Sequence, residues 1–124
     1  MEKVKKKSRV IRISSKSEWE NQISRATNQA FPVVVHFSAF WCMPSVAMNP
    51  SFQHLSSSYQ QLLFFLLDVD EVQEVATKMD IKAMPTFVML SGGSEKDRIV
   101  GANPQELKKR IDAFLQSSSS QNSL

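Results

Sequence analysis

Residues 33–45 read Val33-Val34-Val35-His36-Phe37-Ser38-Ala39-Phe40-Trp41-Cys42-Met43-Pro44-Ser45. The first five form a β-branched, nearly continuous apolar run, the pattern of a strand buried on both faces. Ser38 to Trp41 then turn the chain into Cys42, the only cysteine among 124 residues. Pro44 suits the first turn of a helix, where its missing N–H loses no bond. The stretch is therefore a central strand, a turn and a helix led by a thiol. Such a helix start offers free N–H groups and a positive dipole end, which favour the thiolate, the attacking species in disulfide exchange. A lone thiol can attack another sulfur but cannot close an intramolecular disulfide, so its chemistry needs an outside thiol.

Upstream, Val10 to Ile13 read as a short strand. Ser17 and Glu20 have capping-box spacing, and Trp19, Ile23, Ala26 and Ala30 recur on one face, which predicts a helix from Glu18 to Gln29. Downstream, Phe52, Leu55 and Tyr59 continue the helix begun at Cys42, and Pro50 inside it predicts a kink. Leu62 to Leu67 is a second apolar strand. Asp70 is placed to cap a short helix carrying Val72, Val75, Ala76 and Met79. Thr86 to Leu90 and Arg98 to Val100 are strands joined through Ser91-Gly92-Gly93-Ser94. Asn103, Pro104 and Glu106 begin a last helix with Leu107, Ile111, Phe114 and Leu115 on one face. The order β-α-β-α-β-α-β-β-α implies an α/β domain with parallel crossovers followed by an antiparallel hairpin.

An apolar fraction of 42% suffices for one core. Six cations against Glu2 make residues 1–12 basic, while the rest of the chain, within a net charge of +3, is mildly acidic. We expect a solvated, flexible basic segment over 1–9, a domain over 10–116 and a disordered Ser-rich tail over 117–124. No apolar run approaches the roughly 18 residues of a membrane helix, and no apolar segment follows the N-terminal cations as in a secretory signal. One cysteine argues against a disulfide-stapled scaffold and for a reducing, cytoplasmic setting. Two histidines and one cysteine without an acidic cluster of ligand spacing predict no metal. No finger spacing, aromatic platform or basic helix face points to nucleic acid.

Together, Trp41-Cys42-x-Pro44 after an apolar strand, Pro50 eight residues beyond the cysteine, Met84-Pro85-Thr86-Phe87, and Gly101 before the last helix resemble thioredoxins. Leu67-Asp68-Val69-Asp70-Glu71 and Ala83-Met84-Pro85-Thr86-Phe87 are most similar to plant h-type thioredoxins, and Cys-x-x-Ser to their monocysteinic subgroup. The resemblance implies a thioredoxin fold, a central mixed sheet of about five strands with about four helices on its two faces. It makes Cys42 the nucleophile and puts Ser45 where the family has its resolving cysteine. A Ser45 hydroxyl cannot exchange with a disulfide, but one turn along it could hydrogen-bond the Cys42 thiolate. His36 stands where the family places a buried acid, and Leu66 where it places the accompanying lysine, so both partners are replaced together. His36 is either a proton carrier or a neutral, hydrogen-bonded core residue. Pro85 resembles the family's cis-proline, and Met84, Pro85, Trp41, Met43 and the Gly101-Ala102 backbone would form an apolar groove for an extended peptide.

The expected function is thiol–disulfide exchange of isomerase type through mixed disulfides, resolved by a substrate thiol or by glutathione, with weak dithiol reductase activity. The expected partners are disulfide-containing or glutathionylated proteins and the glutathione/glutaredoxin couple, with no tightly bound cofactor and no membrane or nucleic acid. The chain is expected to be a monomer, with a Cys42–Cys42 linked dimer and a non-catalytic peptide-binding adaptor as the competing readings.

Overall fold

The computed structural model describes residues 7–122. In chain order its elements are β1 (Val10–Ile13), α1 (Lys16–Asn28), β2 (Val33–Ser38), α2 (Met43–Ala47), α3 (Asn49–Ser58), β3 (Leu63–Asp68), α4 (Gln73–Lys78), β4 (Thr86–Ser91), β5 (Ser94–Val100) and α5 (Pro104–Asn122). The five strands form one sheet in the order β1-β3-β2-β4-β5. β1, β3 and β2 run parallel, and β4 and β5 join antiparallel. This is the mixed sheet that the order of elements implies, with four helical segments when the interrupted pair α2–α3 is counted as one.

β2 lies at the centre and is buried along its whole length. Its alternation divides the interior, because successive side chains leave opposite faces of a sheet. Val33, Val35 and Phe37 join Ile13, Trp19, Phe65, Leu67, Val72 and Val75 on the face covered by α1 and α4. Val34 joins Phe52, Phe64, Phe87, Leu107 and Ile111 on the face covered by α3 and α5. Burying each of these large side chains contributes roughly 1.5–3 kcal/mol. An apolar run without alternation in its polarity is thus what a strand in a three-layer domain needs.

Several local expectations are corrected. The cap of α1 is Ser15, not Ser17: its hydroxyl accepts the Glu18 N–H at 3.1 Å, and the Glu18 carboxylate accepts the Ser14 N–H at 3.1 Å. The same Ser-x-x-Glu spacing recurs two residues earlier, and there it aligns Trp19 and Ala26 with the core. The helix predicted from Cys42 onward is two helices meeting at Met48, which places Pro50 in the first turn of α3, where it costs little. Asp70 does not cap α4, whose N-cap is Val72. Asp68 instead accepts the Asp70 and Glu71 N–H groups at 2.8 and 3.3 Å, an Asx-type turn.

The chain ends also differ from expectation. Residues 1–6 of the basic segment lie outside the described residues, but Arg9 is pinned. Its backbone N–H donates to Ser56 Oγ at 2.9 Å, and its guanidinium donates to the carbonyls of Ser56, Tyr59 and Gln60 at 2.9, 3.2 and 3.3 Å. A cation on the last carbonyls of α3 complements the negative end of the helix. α5 continues to Asn122 through the stretch expected as a disordered tail. No Gly or Pro interrupts it there, so nothing in the backbone ends the helix at Ser117. Among the described residues no helix is long and apolar enough to cross a membrane.

Candidate active site

The end of β2 is braced by the end of β3. Ser38 C=O accepts the Val69 N–H at 2.8 Å, Asp68 Oδ2 accepts the Phe40 N–H at 3.1 Å, and the Trp41 indole N–H donates to Asp70 Oδ2. The Cys42 N–H closes the turn on Ala39 C=O at 2.9 Å. Cys42 is the N-cap of α2, in extended conformation, and makes no side-chain cap bond. Its thiol, half-buried, lies 3.6 Å from the Met84 carbonyl oxygen.

Met84 and Pro85 share a cis peptide bond. The Pro85 carbonyl accepts the Gly101 N–H at 2.9 Å, which ties the end of β5 to the loop beside the thiol. Gly101 has φ +117°, a conformation that L side chains rarely adopt, so the residue type follows from the backbone. Met84, Pro85 and Gly101 are therefore brought to Cys42 by this loop, and Ala102 follows in the exposed turn before α5. Trp41 and Met43 flank the sulfur at 58% and 72% exposure, and Pro44 is exposed.

Two further large apolar residues, each adjacent in the chain to a site residue, are exposed. Phe40 is 78% exposed, and Val100, which sits opposite Thr86 in the β4–β5 ladder, is 61% exposed. Phe40 carried the same signal in the sequence as its core neighbours, and only the turn reveals its exposure.

Ser45 is completely buried, and its hydroxyl has no hydrogen-bond partner among the described residues. It does not bond Cys42 Sγ as expected. The helix begins at Met43, so the sulfur stays outside it and faces the Met84 carbonyl, while Ser45 on the third helical position turns inward.

His36 is also completely buried, directly opposite Leu66, its register partner on β3. Its ring stacks on Phe87 at 4.5 Å and meets the edge of Phe52 at 5.2 Å. This apolar surrounding lowers its pKa from 6.5 to about 4, because burial penalises the charged form. His36 is neutral at pH 7. The expectation of a hydrogen-bonded core histidine is corrected in one respect: neither ring nitrogen has a partner among the described residues.

No group of three or more His, Cys, Asp or Glu among the described residues is placed to hold a metal ion. What the arrangement offers chemically is one accessible thiol beside a backbone carbonyl, flanked by exposed apolar side chains, with no second cysteine in the chain.

The thioredoxin family model matches residues 10–113. The chain is 52% identical over 110 residues to the thioredoxin-like protein CXXS1 of Arabidopsis thaliana, covering 89% of this chain and 93% of that protein. It is 41% identical to the protein of the same name from Oryza sativa, covering 89% and 83%. The crystal structure of a poplar thioredoxin h mutant superposes with a TM-score of 0.85 at 40% identity, over 89% of this chain and 85% of that one.

Proposed function

Because this chain belongs to the thioredoxin family and is a thiol–disulfide redox protein with one cysteine, we propose that it works by exchange through Cys42 alone, stopping at a mixed disulfide that an outside thiol resolves. The Cys42 thiolate attacks a substrate disulfide R–S–S–R′. The bond Cys42–S–S–R forms, and R′–S⁻ leaves and takes a proton from solvent. If R′–S⁻ or another substrate thiol attacks the adduct, the substrate disulfide is re-formed or reshuffled and Cys42 is regenerated, with no net oxidation. If glutathione attacks, a second glutathione completes the cycle. Both substrate sulfurs then end as thiols, and the two glutathiones leave as their disulfide.

The observation that carries this reading is the placement of Cys42 Sγ at 3.6 Å from Met84 C=O, between the exposed side chains of Trp41 and Met43 in the chain. An extended substrate segment can lie along the Met84 backbone while its apolar side chains cover these two. Ser45, buried and hydroxylic, supplies no sulfur to release the substrate. The partners are disulfide-containing and glutathionylated proteins, with glutathione, alone or coupled to glutaredoxin, as the resolving thiol. The working compartment is a reducing one, the cytoplasm.

Insulin reduction without glutathione tests the reading. Starting from the reduced proteins, the wild type stops at a mixed disulfide with insulin, Ser45→Cys releases about one equivalent of reduced insulin disulfide and ends with its own two cysteines joined, and added glutathione, as reductant, lets the wild type turn over. Equal release of reduced insulin by the two proteins without glutathione would contradict the single-sulfur cycle. Capture of the same partners by Cys42→Ala as by the wild type would favour a non-catalytic adaptor.

A further inference from the structure

Six methionines occur in the chain, and five of them lie among the described residues. Four of the five are shielded: Met48 and Met89 are 2% and 0% exposed, Met79 packs against the core face covered by α1 and α4, and Met84 is half-buried. Met43 is 72% exposed. Its position explains the difference. It is the first residue of α2, whose inner side carries the buried Ser45, and Met48, buried as well, closes the same helix. Ala47, four residues on and therefore on the face of Met43, is exposed. The thioether thus stands in solvent, and its Cα is about 3.8 Å from that of the nucleophile Cys42, the distance across one trans peptide.

No Asp, Glu, Lys or Arg occurs in residues 26–67, a span that holds the catalytic turn, α2 and α3. A partner that approaches Cys42 over α2 therefore finds no charge there to hold it, and apolar contact has to supply the attraction. Met43 is suited to this, because an unbranched, polarisable thioether adapts to partners of different shape. The same sulfur is open to oxidants. Its sulfoxide is polar and chiral, and no longer offers an apolar surface.

We infer that Met43 is a modification site at which peroxide turns down the docking of protein substrates, leaving the Cys42 sulfur itself unchanged. The inference rests on the exchange cycle proposed for Cys42. In the modifying step the thioether sulfur attacks one peroxide oxygen, an S=O bond forms and the O–O bond breaks. Sulfur gives up two electrons, and the peroxide is reduced to water. The return step belongs to a methionine sulfoxide reductase, which takes two electrons from a pair of thiols and releases the oxygen as water. Cys42 can react with peroxide too, so the two events are separated by protecting the thiol.

The test caps Cys42 of the full chain as its methyl disulfide, treats the protein with hydrogen peroxide, and then removes the cap with dithiothreitol, which leaves sulfoxides in place. Peptide mass spectrometry should find Met43 oxidised ahead of Met48, Met79, Met84 and Met89. The oxidised protein should form its adduct with a scrambled protein substrate roughly fivefold more slowly, having lost part of what one apolar side chain contributes on burial. With hydroxyethyl disulfide, which is too small to cover α2, it should react at the untreated rate. Met43→Leu, capped and treated in the same way, should keep its own untreated rate with both. Oxidation of Met43 no earlier than of Met48 or Met89 would overturn the inference. So would a protein-substrate rate unaffected by the sulfoxide, or a slowing shared by both disulfides. An untreated protein that forms no adduct would count against the exchange cycle itself. In that case weaker noncovalent binding of the same substrate after oxidation would still support the Met43 site, and unchanged binding would overturn it.

Discussion

At His36 the chemistry follows from what surrounds the ring. Phe52 and Phe87 leave no charge close enough to offset burial, so the imidazole protonates only near pH 4 in the folded chain and near 6.5 in the unfolded one. Between these values the unfolded state binds a proton that the native state refuses. Stability that is fully present above pH 6.5 is lost as pH falls through about 4, by up to roughly 3 kcal/mol. His36→Leu should therefore flatten the acid limb of stability against pH, measured by urea unfolding between pH 7 and 4. Parallel curves for the two proteins would contradict this. The residue itself was legible as a departure from a pattern, beside Leu66, because both fall inside strands that an apolar run identifies. Its protonation state was not, because the number of aromatic rings around it depends on α3 and β4, which come from distant parts of the chain.

Among the elements, the end of β3 and the turn after it do more for the site than its own helix does. Asp68 accepts the N–H groups of Phe40, Asp70 and Glu71 at 3.1, 2.8 and 3.3 Å, and so fixes both the turn before Cys42 and the Asp70 carboxylate that receives the Trp41 indole. Asp68→Ala should cost about 2–3 kcal/mol in urea unfolding, from three orphaned donors partly rescued by solvent. It should also slow adduct formation by Cys42, because Trp41 loses its anchor. Unchanged stability together with unchanged rate would remove Asp68 from the account. The contiguous parts of the site, Trp41 to Ser45 and Met84-Pro85, could be read from the sequence because neighbours in the chain remain neighbours in the fold. The brace could not. A carboxylate reaching back 28 residues leaves no periodicity, and Asp70 looked like a helix cap because a cap and an Asx turn use the same residue types. The capping serine of α1 was displaced for a related reason, since two Ser-x-x-Glu registers compete and only core packing of Trp19 selects one.

In the whole molecule, one fully buried strand separates two apolar layers, and the site sits where that strand ends. This plan was readable from the order of apolar runs and helical faces, since each run had to be covered on both sides. The anchoring of the N-terminal segment was not, because Arg9 holds the carbonyls of α3, 47 to 51 residues away. Arg9→Ala should lower stability by about 1–2 kcal/mol and increase amide exchange in the last turn of α3, without altering the sulfur chemistry. Unchanged exchange there would show that the clasp contributes nothing. The central claim concerns the sulfur, and single-turnover trapping tests it most directly. The reduced protein is mixed with a scrambled disulfide substrate in the absence of other thiols, and the adduct is followed by nonreducing electrophoresis and mass spectrometry. The account predicts a covalent complex through Cys42 that accumulates with the wild type, does not form with Cys42→Ala, and disappears on adding glutathione. Substrate that stays noncovalently bound, with Cys42 remaining a free thiol throughout, would contradict it.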